Sequence, residues 1–181
     1  MSGEEVNRLA ILWAPWRIKY IRESVGKKAT HCIFCEALKL PDNESLILLR
    51  STYAYVIMNA FPYNNGHLLI TPYRHIATLE QLDDCEIQDI HRLMKISLKI
   101  LRKAMNPHGF NIGINLGRVA GAGIDDHVHV HIVPRWNGDT NFMTTIGGTR
   151  VIPQSLRDLY SQLKPLFEEE DKKTRRVDCQ K

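Results

Sequence analysis

The chain has 181 residues, 44% of them hydrophobic and 24% charged, which is enough for one domain with a real core and unlike disordered or fibrous sequence. Its formal charge of +4 sits partly in Lys27-Lys28 and Lys172-Lys173-Thr174-Arg175-Arg176. Without a basic stripe interleaved with aromatics, the charge suits solvated tails or a small anionic ligand, and no nucleic-acid partner is expected. No stretch approaches the roughly 20 apolar residues of a membrane span, and Met1 to Arg8 carries no basic start with an apolar run behind it, so a cytoplasmic protein with no membrane partner is expected.

Residues 1–29 read as an N-terminal extension that packs on the core, with the aromatic run Leu12-Trp13-Ala14-Pro15-Trp16-Arg17-Ile18-Lys19-Tyr20-Ile21. Cys32-Ile33-Phe34-Cys35 follows, while Cys85 and Cys179 stand alone. That is no disulfide framework, and the C-x-x-C reads as a metal knuckle or a redox pair. Leu46–Leu49 and Tyr53–Met58 read as the strands of a hairpin. After the turn cluster Pro62-Tyr63-Asn64-Asn65-Gly66, a strand over 67–71 is expected to end at Pro72. From Asp84 to Met105 the apolar residues Ile87, Ile90, Met94, Leu98, Leu101 and Met105 recur at spacings of three and four, one face of a long helix with His91 turned outward. Asn106-Pro107-His108-Gly109 breaks it. A strand over 110–115, a loop with Gly117, Gly121 and Gly123, a strand over 127–133 and a helix from Pro153 to about Glu170 complete the chain. Strands in succession around one helix imply an antiparallel sheet with helices on one side, an α+β fold.

In an extended strand alternate side chains share a face, so His127, His129 and His131 line one side and Val128, Val130 and Ile132 the other. An imidazole titrates near neutrality and serves as nucleophile or as proton donor and acceptor. A metal is the rival use. Imidazoles about 6.5 to 7 Å apart along a strand cannot all reach one ion at about 2 Å, so at most two belong to a metal. The loop Asn115–Gly123 offers backbone amides with little side-chain bulk, either a simple turn or a cradle for phosphate oxygens.

His127-Val128-His129-Val130-His131-Ile132-Val133 resembles the signature of the histidine-triad superfamily, His-φ-His-φ-His-φ-φ with φ apolar. The resemblance extends through Asn59–Pro72 upstream and Pro134-Arg135-Trp136 downstream, and covers roughly 30–155 as a catalytic domain, with 156–181 as a C-terminal helix and charged tail. Leu12–Arg17, Pro107–Asn111, Gly138–Phe142 and Ile146–Pro153 are similar to the branch acting on diadenosine tetraphosphate. The resemblance implies a homodimeric HIT-type hydrolase or phosphorylase that cleaves dinucleoside polyphosphates at the α-phosphate, with adenine nucleotides as substrates. It makes His129 the nucleophile that forms a nucleotidyl-histidine, with His131 assisting at the phosphate. Asn59 matches a ribose contact, Asn115 a residue near the phosphates, and His67 a histidine bordering the site. Where many relatives carry a hydroxyl before the triad, this chain has Ala122-Gly123-Ile124-Asp125-Asp126, so phosphate contact falls to backbone N–H groups such as those of Gly121 and Gly123, and phosphorylase and hydrolase both stay open. The resemblance also implies structural zinc on Cys32, Cys35, His75 and His127, which shifts His127 from chemistry towards fixing the strand. A nucleoside phosphoramidase, acting on the P–N bond of adenosine monophosphate amides with the same nucleophile, and a nucleotide-binding regulator are the alternatives.

Overall fold

Short runs of alternating or continuous apolar residues give five strands: β1 (Ile47–Arg50), β2 (Ala54–Met58), β3 (Leu68–Pro72), β4 (Gly109–Ile114) and β5 (Val130–Arg135). The computed structural model describes residues 32–140, 152, 154–174 and 177–178; the expected N-terminal extension, 1–29, lies outside them. The described residues within 29–137 and 152–181 belong to one compact unit. All strand pairings are antiparallel, in the order β1-β2-β3-β5-β4. Two short helices, α1 (Ile33–Ala37) and α2 (Asp42–Ser45), precede the sheet. The long helix α3 (Asp84–Met105) joins β3 to β4, and α4 (Leu156–Lys173) follows the sheet. This is the expected α+β arrangement. No helix among the described residues is long and apolar enough to cross a membrane.

The ends of α3 are set by local chemistry. Asp83 accepts from the Glu86 backbone N–H while Glu86 reaches back to the Asp83 N–H, a capping box. At the other end Asn106 takes a left-handed conformation at φ 45°, ahead of Pro107. Of the stripe that spacing predicts, Ile90 and Leu101 are buried in the core and Met94, Leu98 and Met105 pack against it, while Leu93, Ile96, Ser97 and Ile100 widen the buried face. Ile87 departs from the stripe: it is 48% exposed and borders an apolar cleft that Met94 and Ile90 also line. Cys85, isolated in the sequence, is disulfide-bonded.

The sheet has two unequal faces. Ala54, Val56, Met58, Leu68, Ile70, Val130 and Ile132 meet α3 and α4 in the main core, to which α4 contributes Leu159, Leu163 and Phe167. Ile47, Tyr55, Ile57 and Leu69 point the other way and pack with Phe34 and Ala37 of α1. Behind the hairpin, buried Asp89 accepts from Ser51 Oγ at 2.7 Å and from the backbone N–H of Tyr53 at 2.8 Å, and Arg92 donates to Asp171 at 3.0 Å. That network ties β1, β2, α3 and α4 together, with Arg92 paired to both Asp89 and Asp171.

The expected strand over 127–133 is shifted. Pairing with β3 and β4 begins at Val130. Before it, the Val128 N–H donates to the Ile76 carbonyl at 2.7 Å, and the Val128 carbonyl accepts from Thr71 Oγ1 at 2.9 Å. Val128 is thus held by the Thr71 side chain near the end of β3 and by Ile76 just after it, rather than by a ladder. The strand runs on through Pro134 because β3 reaches only to Ile132, so the missing proline N–H removes no bond to that neighbour.

Candidate active site

The second sheet face carries the histidines. His127, His129 and His131 are 1%, 5% and 9% exposed, on the side away from Val128, Val130 and Ile132, as alternation predicts. Neighbouring rings stand closer than bare strand geometry suggests: the centroids of His129 and His131 are 4.8 Å apart.

Backbone carbonyls decide what each ring offers. His129 Nδ1 lies 2.8 Å from the His127 carbonyl oxygen. A carbonyl only accepts, so Nδ1 carries the proton and Nε2 keeps its lone pair. Burial lowers the pKa of His129 and favours this neutral form. His127 is arranged in the opposite sense: its Nε2–H donates to the Pro72 carbonyl at 3.1 Å, which leaves Nδ1 bare.

That bare Nδ1 faces two thiols. Cys32 Sγ is 3.3 Å from His127 Nδ1, Cys35 Sγ is 3.8 Å from it, and Cys35 Sγ is 3.6 Å from His75 Nδ1. The four donor atoms all lie within 4.8 Å of one another. In a tetrahedral site with Zn–S of about 2.3 Å and Zn–N of about 2.0 Å, sulfur and nitrogen stand roughly 3.5 Å apart, so the set fits such an ion. Burial pushes the Cys32 thiol up to about 11, and a divalent cation in the cluster would supply the charge that its thiolate needs. The Pro72 carbonyl behind His127, and the Asp126 carboxylate 3.8 Å from His75 Nε2, are placed to orient the two imidazoles.

His67 joins from the segment before β3. Its Nε2 is 2.9 Å from His131 Nδ1, and its Nδ1 faces the Tyr63 N–H at 3.0 Å and Asn59 Nδ2 at 3.2 Å. Asn59 therefore borders the site with its amide engaged to a histidine. Asn115 directly follows Ile114, which pairs with Val130 in the last rung between β4 and β5. Gly117 and Gly121 take φ of 77° and 93° around a 3-10 turn at Arg118–Ala120, a path that a side chain at either position would strain; Gly123 lies just beyond. The structure thus brings Cys32, Cys35, His75 and His127 into one cluster and Asn59, His67, His131 and His129 into another, while Asn115, Gly121 and Gly123 lie in the connection between β4 and β5.

Two members are missing from the sequence reading. Phe34 packs its ring 5.2 Å from that of His127 and 4.9 Å from that of His129, and the Tyr55 hydroxyl holds its turn by donating to the Phe34 carbonyl at 2.9 Å. Tyr63 stacks on His131 at 5.6 Å and 13°. The only sequence signals were the place of Phe34 inside C-x-x-C and that of Tyr63 in a turn cluster.

A family model described as the HIT domain matches residues 41–138, more than half of the chain. This chain belongs to the HIT family. Among curated relatives, a Mycobacterium tuberculosis protein named AP-4-A phosphorylase is 41% identical over 158 residues, covering 84% of this chain and 81% of its own. An adenosine 5'-monophosphoramidase of Schizosaccharomyces pombe is 29% identical over 132 residues, covering 73% of this chain and 95% of its own. Among solved structures, a Zn-bound histidine triad family protein from Mycobacterium smegmatis superposes with a TM-score of 0.63 at 21% identity, covering 79% of this chain and 97% of that one, which shows the shared HIT fold.

The buried HIT-family histidines give the fold a specific acid sensitivity. Burial, with His131 and His129 beside it, pulls the His67 imidazole down to about 3. The unfolded chain binds that proton near 6.5, so between those values folding excludes a proton and stability is lost as the pH falls. The slope from His67 alone is about 1.4 kcal/mol per pH unit. Urea melts between pH 7 and 5 are expected to show a shallower loss for His67→Gln than for the unaltered chain; equal slopes would refute the assignment.

Proposed function

We propose that this chain cleaves dinucleoside polyphosphates of the diadenosine tetraphosphate class at an α-phosphorus, through a nucleotide held covalently on His129. The observation that carries this reading is the 2.8 Å hydrogen bond from His129 Nδ1–H to the His127 carbonyl, which leaves Nε2 as a lone pair in a water-poor site. Nε2 attacks the α-phosphorus, a P–N bond forms, and the bond from that phosphorus to the bridging oxygen breaks. With diadenosine tetraphosphate the leaving group is ATP and AMP stays on His129. An acceptor oxygen then displaces His129 Nε2, giving AMP with water or ADP with inorganic phosphate. The proton-bearing nitrogen of His131 and the amides of the loop at Gly121 and Gly123 stabilise the phosphoryl oxygens, with Asn59 at the ribose and Asn115 near the phosphates.

The 41%-identical relative named as a phosphorylase favours phosphate as the acceptor. The relative named as a monophosphoramidase keeps a P–N substrate as the second reading, since an adenosine monophosphate amide would meet the same Nε2. Incubation with diadenosine tetraphosphate, with and without inorganic phosphate, is expected to give ATP and ADP only when phosphate is added. His129→Ala is expected to reduce turnover by at least about 10⁴-fold while the protein stays folded. Turnover retained in His129→Ala would overturn the assignment, and AMP formed without phosphate would replace phosphorylase by hydrolase.

The same proposal includes a structural zinc on Cys32, Cys35, His75 and His127, supported by their spacing and by the chemistry of two thiols with two imidazoles. Zinc there supplies cross-linking of α1 to the approach of β5 and takes no part in the reaction. Metal analysis of purified protein is expected to find one zinc per chain, and Cys32→Ser to lose both the metal and several kcal/mol of stability. Zinc-free protein with unchanged stability would contradict it.

A homodimer completes the reading. In the chain β4 lies at an edge of the sheet, Asn111 to Gly113 are exposed, and an apolar cleft of about 510 Å³ beside it is bordered by Ile87, Met94 and Ile112. Such an edge is suited to cover by a second copy. Light scattering is expected to give the mass of two chains in solution; the mass of one chain would refute it.

A further inference from the structure

A backbone N–H can only donate, and two of them fix the hydrogen-bond directions around His67. Tyr63 N–H, 3.0 Å from His67 Nδ1, makes that nitrogen an acceptor, so the neutral ring carries its proton on Nε2. Phe61 N–H donates to Asn59 Oδ1 at 2.9 Å, which settles the orientation of the amide and turns the NH₂ towards His67 Nδ1, 3.2 Å away. His67 Nε2–H then donates to His131 Nδ1 at 2.9 Å. His131 Nδ1 must accept, and neutral His131 holds its proton on Nε2.

We propose that Asn59 is a positioning residue for phosphoryl chemistry, whose side-chain amide acts through His67 to lock His131 in its Nε2–H form. This goes beyond the ribose contact that family resemblance gives Asn59, and it rests on His131 acting as the hydrogen-bond donor at the phosphate. Reversing the chain of protons would set an N–H at His67 Nδ1 against two donors at once, the Tyr63 amide and the Asn59 NH₂. His67 is 1% exposed, so water cannot take over either bond. The rings themselves are held: Tyr63 lies over His67 at 4.5 Å and stacks on His131. With rotation blocked, the remaining freedom is which nitrogen bears the proton.

The chemistry requires a carboxamide here. Asn59 must accept from Phe61 with one atom and donate to His67 with the other. A carboxylate of the same shape offers two acceptors, so Asn59→Asp satisfies Phe61 and draws a proton onto His67 Nδ1. His67 then becomes either the reversed tautomer or a cation beside His131. Asn59→Ala removes one of the two donors without adding an acceptor.

Ring-nitrogen NMR of the full chain labelled with ¹⁵N-histidine, recorded without nucleotide, reads the effect directly. The unaltered protein is expected to show protonated Nε2 and bare Nδ1 at both His67 and His131. In Asn59→Asp the His67 Nδ1 signal is expected to move to the protonated position. The single-turnover rate of nucleotide transfer from diadenosine tetraphosphate is expected to fall about 100-fold, with half-saturation changing less than about tenfold. In Asn59→Ala the Nδ1–H form of His67 becomes detectable and the rate falls by an intermediate factor, which decides the matter should Asn59→Asp not fold. Unshifted ring nitrogens in the folded variants, with the loss confined to half-saturation, would overturn the proposal and leave Asn59 a ribose contact only. A protonated Nδ1 at His67 in the unaltered protein would overturn it as well. Because the spectra are taken without substrate, failure of the proposed reaction would show separately, as absent turnover with the ring pattern intact.

Discussion

One backbone carbonyl, that of His127, determines which nitrogen of His129 is free. The 2.8 Å bond it accepts from His129 Nδ1 fixes the tautomer, and with it the direction in which a lone pair can attack. The chain at 127–129 stands outside the ladder, which begins at Val130. It does so because Ile76 and Thr71 supply the hydrogen bonds that a neighbouring strand would otherwise give to Val128. The position of His129, the proposed nucleophile, therefore depends on the end of β3 and the segment following it as much as on the strand that begins at Val130.

His127 links this arrangement to the Cys32–Cys35 turn. Its Nε2–H is tied to the Pro72 carbonyl and its Nδ1 faces the thiols, so one ring is fixed from both sides. Phe34 lies against both His127 and His129, and the Tyr55 hydroxyl holds its turn on the sheet. Phe34 thus couples the cysteine turn by packing to His129, the ring proposed to react. At the other side, His67 and His131 form a separate hydrogen-bonded pair whose proton positions are set by Asn59 and the turn at Tyr63. The site has one donor end, one lone pair and one clamp, all from residues on the sheet face opposite the main core.

Much of this was legible in the sequence because side-chain alternation is a property of residue types. The three histidines share the face that Val128, Val130 and Ile132 avoid, and the long helix spans Asp84–Met105 as its apolar spacing and its break at Asn106-Pro107 indicate. The apolar stripe of α3 meets the core except at Ile87, which is as apolar as Leu93 and Ile96 but is exposed beside the cleft. The start of β5 was placed too early, because a valine between histidines reads as strand whether its N–H meets a ladder or the Ile76 carbonyl. Phe34 and Tyr63 escaped notice for a related reason. Their roles come from ring packing and from a main-chain N–H, and neither leaves a mark in residue type. The tautomers of His67, His129 and His131 are likewise written in carbonyls and amides that every residue possesses.

The central claim is that His129 Nε2 carries the nucleotide covalently. It is tested most directly by mixing the protein with diadenosine tetraphosphate, stopping the reaction in denaturant at high pH and locating the adduct by peptide mass spectrometry. The account predicts one nucleoside monophosphoryl group on the peptide containing His129, attached at that residue and absent from the His129→Ala protein. Full turnover with no adduct, or an adduct on a different side chain, would contradict it.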